Sequence, residues 1–225
     1  LRAALGVLTP PGTTSAPIEG IVDVKIKLNR DKSRYLSVYY AGPMRSAGGT
    51  EQGLSVIFAD YIRRLMKLDR YEPLQEEIGR YVEEMRLYEN MVGSFQFKAS
   101  EEQLRFALQR IPIEITGVGT DPYEVTTHRN LFRVGTNKLR GGALRVLIDG
   151  LIGRAQKIYN QVKNMNLSGW DWLLEIRAIA HESIYMEKVL IGRPFLSFSN
   201  KFGGFRLRYG RSRSTGLAAF GVHPM

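Results

Sequence analysis

The sequence predicts an α+β fold in which mixed small sheets pack with several amphipathic helices. Val22, Val24, Ile26 and Leu28 alternate with Asp23, Lys25 and Lys27, the period of two that marks a strand. Leu144, Leu147, Ile148, Leu151, Ile152, Ala155, Ile158, Tyr159 and Val162 recur instead at helical spacing. Strands and helices follow one another without the regular β-α-β rhythm that builds a doubly wound parallel sheet.

Taken in order, Leu1 to Leu8 reads as the end of a helix. Thr9 to Pro17, with Pro10, Pro11, Gly12 and Pro17, reads as a linker. The strand from Val22 to Leu28 is expected to be half-buried. It turns through residues 29–33 into a second strand over Tyr35 to Tyr40, and Gly42-Pro43 ends the hairpin. Gly48-Gly49-Thr50-Glu51 opens a helix to about Met66, with Leu54, Ile57, Phe58, Tyr61, Ile62 and Leu65 as its apolar stripe. A second helix runs from about Leu74 to Met91. Ser100 caps a third, with Glu101, Glu102 and Gln103 in its first turn, and Arg110-Ile111-Pro112 stops it. Ile113 and Ile115 start a strand, residues 117–122 form a loop, and Tyr123 to Thr127 is expected to be another strand. The longest helix spans Gly142 to about Asn164, and a further one Trp170 to Lys188. Gly192-Arg193-Pro194 then breaks the chain into an irregular Phe-, Gly- and Arg-rich run. Residues 1–17 thus form a helix end and Pro-rich linker, 18–190 an α+β region, and 191–225 a basic Gly/Arg-rich segment.

Composition bounds the function. With 225 residues, 44% hydrophobic and 24% charged, the chain is no wholly disordered polypeptide. Its net charge of +10 and pI near 9.9 point to a polyanionic partner. Arg outnumbers Lys 22 to 10, and the planar guanidinium grips phosphate oxygens bidentately where an ammonium is a point charge. From Lys188 to Met225 there are seven basic residues and no acid, whereas Lys67 to Leu104 is rich in Glu. With no cysteine, the chain holds no disulfide, thiol nucleophile or cysteine-bound zinc or iron–sulfur cluster. No stretch approaches the roughly 18 apolar residues of a membrane span, and no secretory signal is visible. A cytoplasmic protein without a membrane partner is expected. Leu1 at the start and the basic run before Met225 suggest a piece of something longer.

Catalytic patterns are sparse. The seven aspartates are scattered, so the closely spaced pair of a two-metal phosphoryl-transfer site is not visible. There is no P-loop, no G-x-G-x-x-G and no G-x-S-x-G. His128, His181 and His223 lack metal-ligand spacing, and Glu76/Glu77 and Glu83/Glu84 read as an acidic helix face. No catalytic residue and no metal ligand is assigned.

Three constellations suit phosphate. Arg45-Ser46-Ala47-Gly48-Gly49-Thr50 joins a strand to a helix. Glycines there allow close backbone approach, and Arg45, Ser46 and Thr50 complete a cradle at the helix N-terminus. The competing reading is a tight turn capped by Thr50. Thr136 to Gly142 repeats the arrangement, with Lys138 and Arg140 flanking the glycines. In Lys201 to Arg213, Arg206 and Arg208 alternate with Phe205, Leu207 and Tyr209, and a strand spaces alternate side chains about 6.6 Å apart. Lys201, Arg211 and Arg213 extend that basic row, and Tyr209 or Phe202 suits base stacking. The competing reading is a basic edge strand that resists aggregation.

Tyr39 to Gln52, Ile111 to Gly117, Thr136 to Gly142 and Gly203 to Arg213 closely resemble, in the same order, stretches of the large subunit of archaeal family D DNA polymerase. The likeness runs from Ala16 onward. It implies a replicative, Mg²⁺-dependent DNA polymerase that works on a DNA primer–template with a small proofreading exonuclease subunit and a sliding clamp. The resemblance also implies structural zinc, a catalytic core of two double-psi β-barrels, and active-site aspartates in an Asn-Ala-Asp-Phe-Asp-Gly-Asp run. That run and the zinc-binding cysteines are absent from this sequence. The chain is therefore expected to be an N-terminal-side fragment with a K-homology-like region, inactive alone, that supplies scaffold and DNA contacts without a cofactor. Two alternatives stand beside it. One is a stand-alone K-homology nucleic-acid module, although no G-x-x-G clamp is evident. The other is a metabolic enzyme holding a nucleotide phosphate at Gly48-Gly49.

Overall fold

The hairpin expected near the N-terminus is the seed of the fold. In the computed structural model, which describes residues 1–3, 15–176, 178–179, 195–198 and 205–208, the chain divides into two compact units, Leu1–Ala180 and His181–Met225. In the first unit a short helix α1 (Ser15–Gly20) leads into β1 (Ile21–Leu28), which pairs antiparallel with β2 (Arg34–Tyr40). Asp31 Oδ1 closes the turn by accepting from the N–H and hydroxyl of Ser33, and Lys32 takes a φ of 69°. β3 (Glu114–Gly117) lies parallel to β2, giving the order β1-β2-β3.

The half-burial expected of β1 is corrected. Val22, Val24, Ile26 and Leu28 are between 40% and 55% exposed. Val24 lies opposite Val38 and Ile26 opposite Leu36, both buried, so the apolar face continues the core face of β2. β1 is, however, the edge of the sheet, and alternation alone cannot tell an edge strand from a central one.

A 3-10 turn (Gly42–Ser46) follows β2, then α2 (Gly49–Leu65), α3 (Gln75–Met91) and α4 (Glu101–Leu108), close to the expected limits. Ser100 and Gln103 exchange side-chain-to-backbone hydrogen bonds of 3.1 Å, the expected capping box. The buried side of α2 differs from its apolar stripe. Tyr61 and Leu65 are exposed, while Asp60 and Arg63 are buried. Asp60 accepts from Arg63 Nε at 2.8 Å, Arg64 Nε at 3.0 Å and Trp170 Nε1 at 3.0 Å, so an ionic knot draws that face inward.

The helix expected from Gly142 to Asn164 is three segments: α5 (Gly141–Arg145), a π-helical stretch (Val146–Ile152) and α6 (Ala155–Asn164). The wide turn brings backbone against α2. A Cβ on Gly150 would lie 2.9 Å from Gly53 N, and one on Gly53 2.8 Å from Gly150 O. Tyr123 to Thr127 is a loop, with one isolated bridge between Glu124 and Lys138, instead of the expected strand. Of the helix expected over Trp170 to Lys188, α7 (Trp172–Glu175) is helical, and residues 177 and 180–188 lie outside the described residues. In the core, Val38, Val56, Ile78, Leu104, Ile115 and Leu147 bring sheet and helices together. In the second unit, β4 (Phe195–Phe198) pairs antiparallel with β5 (Phe205–Arg208).

Candidate nucleic-acid interface

The fold brings the first two glycine junctions together. Thr120 is the link. Its hydroxyl accepts from Arg45 Nη2 at 2.8 Å and from the Gly141 N–H at 3.0 Å, and donates to Asp121 Oδ2 at 2.8 Å. Arg45 also pairs with Asp121 directly and lies 5.7 Å from the Tyr88 ring centre. A Cβ on Gly141 would collide with Arg45 Nη2, and one on Gly142 with the Ala41 carbonyl. These glycines permit close approach of the two junctions.

The predicted residues take different roles. Arg45 is largely covered, with 29% of its side chain exposed. Ser46 is exposed and donates to the Pro43 carbonyl at 2.8 Å. Gly48, not Thr50, is the N-cap of α2, with φ −63° and ψ 146° and no side-chain cap bond. The Glu51 carboxylate curls over Gly48. Gly49 is buried, and a Cβ there would lie 3.0 Å from the Asp149 carbonyl oxygen. It is absent from the positive-φ glycines, which among the described residues are Gly93 and Gly169, so close packing and not backbone strain favours glycine there. Thr50 is half-buried. Lys138 is exposed and forms no ion pair among the described residues.

Arg140 requires correction. It is fully buried and fully engaged. Its Nε donates to Glu84 Oε1 at 3.0 Å, its Nη2 to Glu84 Oε2 at 2.8 Å, and its Nη1 to Thr116 Oγ1 at 3.0 Å. The Tyr81 ring centre lies 4.5 Å away. Burial disfavours its charge, but Glu84 more than compensates and holds the guanidinium above its ordinary pKa. Arg80, on the far side of Glu84, is equally buried and donates to the carbonyls of His128, Thr136 and Lys138 at 2.9–3.1 Å. Arg140 is therefore a structural cation and offers no donor to an outside phosphate.

Arg206 and Arg208 lie on β5, at register positions opposite Ser197 and Phe195. Lys201, Arg211 and Arg213 fall outside the described residues.

Residues 1–179 match the family model for DNA polymerase II large subunit DP2, N-terminal, and residues 175–225 match its central domain. The chain belongs to the DNA polymerase II large subunit family. It is 50% identical to the DNA polymerase II large subunit of Methanothermobacter thermautotrophicus, 47% to that of Cenarchaeum symbiosum and 44% to that of Methanococcus maripaludis. All of this chain is covered in each case, and 21–22% of each relative, so the chain spans about a fifth of the length of these large subunits.

In this large-subunit chain a further exposed cation, outside the expected site residues, stands beside the junctions. Arg154 lies against α2, its Nε 3.1 Å from where a Cβ on Gly49 would stand, and it forms no ion pair among the described residues. Its position comes from the break between the π-helical stretch and α6, which a continuous helical pattern conceals. Among the described residues no group of three or more His, Asp and Glu side chains is placed to hold a metal ion. No described helix is long and apolar enough to cross a membrane.

Proposed function

We infer that this chain serves a replicative, DNA-directed DNA polymerase as the N-terminal and central part of its large subunit, contributing scaffold and contacts to DNA phosphates. The observation that carries this reading is the family match along the whole chain, together with its excess of positive charge. In this reading the primer–template is the partner, with Lys138 and Arg154 as the uncommitted cations beside the glycine junctions. Ser46, Gly48 and Thr50 offer hydroxyl and backbone groups nearby, and Arg206, Arg208, Lys201, Arg211 and Arg213 supply a second grip. Arg45 takes part only if it leaves Asp121. In this reading Mg²⁺ and structural zinc are held by other parts of the large subunit, since this sequence has neither the aspartate run nor any cysteine. The exonuclease subunit and a sliding clamp complete the cytoplasmic assembly.

The K-homology-like reading has to accommodate the order α1–β1–β2–α2–α3–α4–β3, with three helices between β2 and β3. The link between α2 and α3, Met66 to Leu74, carries no G-x-x-G, so that module's nucleic-acid clamp is not assigned here.

The test is duplex DNA binding across a salt series. The chain is expected to bind with steep salt dependence and little sequence preference. Lys138→Ala with Arg154→Ala should weaken binding and flatten the slope by about 2, one unit per lost phosphate contact. A slope equal to wild type would remove both residues from the interface.

A further inference from the structure

We propose that Phe132 is a base-stacking anchor for single-stranded DNA, displayed on a loop that the fold holds in advance. Phe132 is 103% exposed, against 66% at Leu65, the next highest of the large apolar side chains described. Single exposed apolar residues are common on protein surfaces, but this one sits at a loop that is pinned from several sides.

The loop leaves and rejoins the fold at the Glu124–Lys138 bridge, with Val125 N–H donating to the Asn137 carbonyl at 3.1 Å. On one flank the Glu83 carboxylate accepts from the N–H groups of Thr126, Thr127 and His128 at 2.6–2.9 Å. On the other, Arg80 holds three carbonyls of the same loop. Asn130 and Asn137 bridge the tip, each distance 2.8 Å. Arg133, beside Phe132, is bound to Glu77 through Nε at 2.7 Å and Nη2 at 2.6 Å, and lies over the rings of Tyr35 and Tyr71. Arg133 thus turns inward while the Phe132 ring faces water. A preordered loop loses little conformational freedom on binding.

Charge selects the ligand. No acid occurs between Glu124 and Asp149, and Lys138 at the loop's base is exposed and unpaired among the described residues. Arg129 is 44% exposed and pairs, among the described residues, with the Glu124 carboxylate at 3.0 Å. An exposed aromatic on a loop that also displays Arg129 and Lys138 fits stacked bases flanked by phosphates, whereas an apolar pocket on a protein would not call for those cations. Stacking tolerates any base, so the ligand is an unpaired stretch of DNA without sequence preference. The proposal rests on the DNA-contact reading and adds to it a strand type and a residue.

The experiment compares the 225-residue chain with its Phe132→Ala and Phe132→Trp variants on oligo(dT) and on a duplex. Phe132→Ala is expected to lose roughly tenfold in oligo(dT) affinity, with duplex affinity and melting temperature unchanged. Phe132→Trp should keep the affinity, and its added emission should be quenched by oligo(dT). Wild-type oligo(dT) affinity in Phe132→Ala, or unquenched emission in Phe132→Trp, overturns the proposal. The same holds if Phe132→Ala loses only association with another polymerase segment, which would assign the ring to a protein pocket. If the wild-type chain binds neither DNA, the DNA-contact reading falls as well. Duplex binding without an effect at Phe132 defeats the stacking anchor alone.

Discussion

Arg140 and Lys138 stand two positions apart in one glycine-flanked run, yet one is sealed in the core and the other faces water. The run shows cations beside glycines, which is the pattern of a phosphate cradle. What divides them is Glu84, 56 positions away from Arg140 in sequence, and no local pattern reports it. Breaking a buried ion pair leaves an uncompensated charge and costs about 3–5 kcal/mol. Arg80 still holds Glu84 at 3.0 Å in an Arg140→Ala variant, so we expect the lower end, about 3 kcal/mol. Lys138→Ala should stay within about 0.5 kcal/mol of wild type. Chemical denaturation of the two variants checks this, and an Arg140→Ala chain as stable as wild type would contradict the buried-pair account. Gly49 teaches the same lesson. Its need for glycine was legible, but the reason lies in Asp149, on a distant segment.

At the scale of elements, the limits of α2, α3 and α4 were legible from helical spacing and, in α4, from the Ser100 cap, although the buried side and the cap of α2 were not. The π-helical interruption was not, since the Gly150–Gly53 contact joins two remote segments. The strand expected at Tyr123 to Thr127 fails for a similar reason: α3 supplies Glu83, whose carboxylate takes up the N–H groups of residues 126–128. Burial alone pushes the Glu83 carboxyl up. Hydrogen bonds from the Thr127 N–H, the His128 ring and N–H and the Thr126 N–H outweigh it and bring its pKa down to about 2. A depressed carboxyl stabilises the fold fully above its ordinary value of 4.5, and this contribution is lost as pH falls toward about 2. Melting temperature should therefore drop from about pH 5 down to about pH 2, partly through this group. Glu83→Gln should melt lower near neutrality and show a shallower acid limb. Parallel acid limbs in the two proteins would remove Glu83 from the account.

For the whole molecule, the informative sequence signal was the uneven charge. The stretch from Lys188 to Met225 carries seven of the basic residues and no acid. Alternation predicted a strand around Arg206 and Arg208, and β5 spans Phe205–Arg208. Each phosphate neutralised on a duplex contributes about 0.9 to the slope of log affinity against log salt. Residues 203–213 include Arg206, Arg208, Arg211 and Arg213. If all four grip phosphates, deleting this segment should flatten the slope by roughly 3 to 4. Because the deletion removes β5, a second chain with all four arginines replaced by Lys keeps the length and the charge. It should retain most of the slope, since counterion release follows charge, yet bind duplex more weakly because the bidentate fork is lost. A deletion that leaves the slope untouched would show that the segment does not meet DNA. Lys replacements that bind as tightly as wild type would show that it meets DNA only as diffuse positive charge.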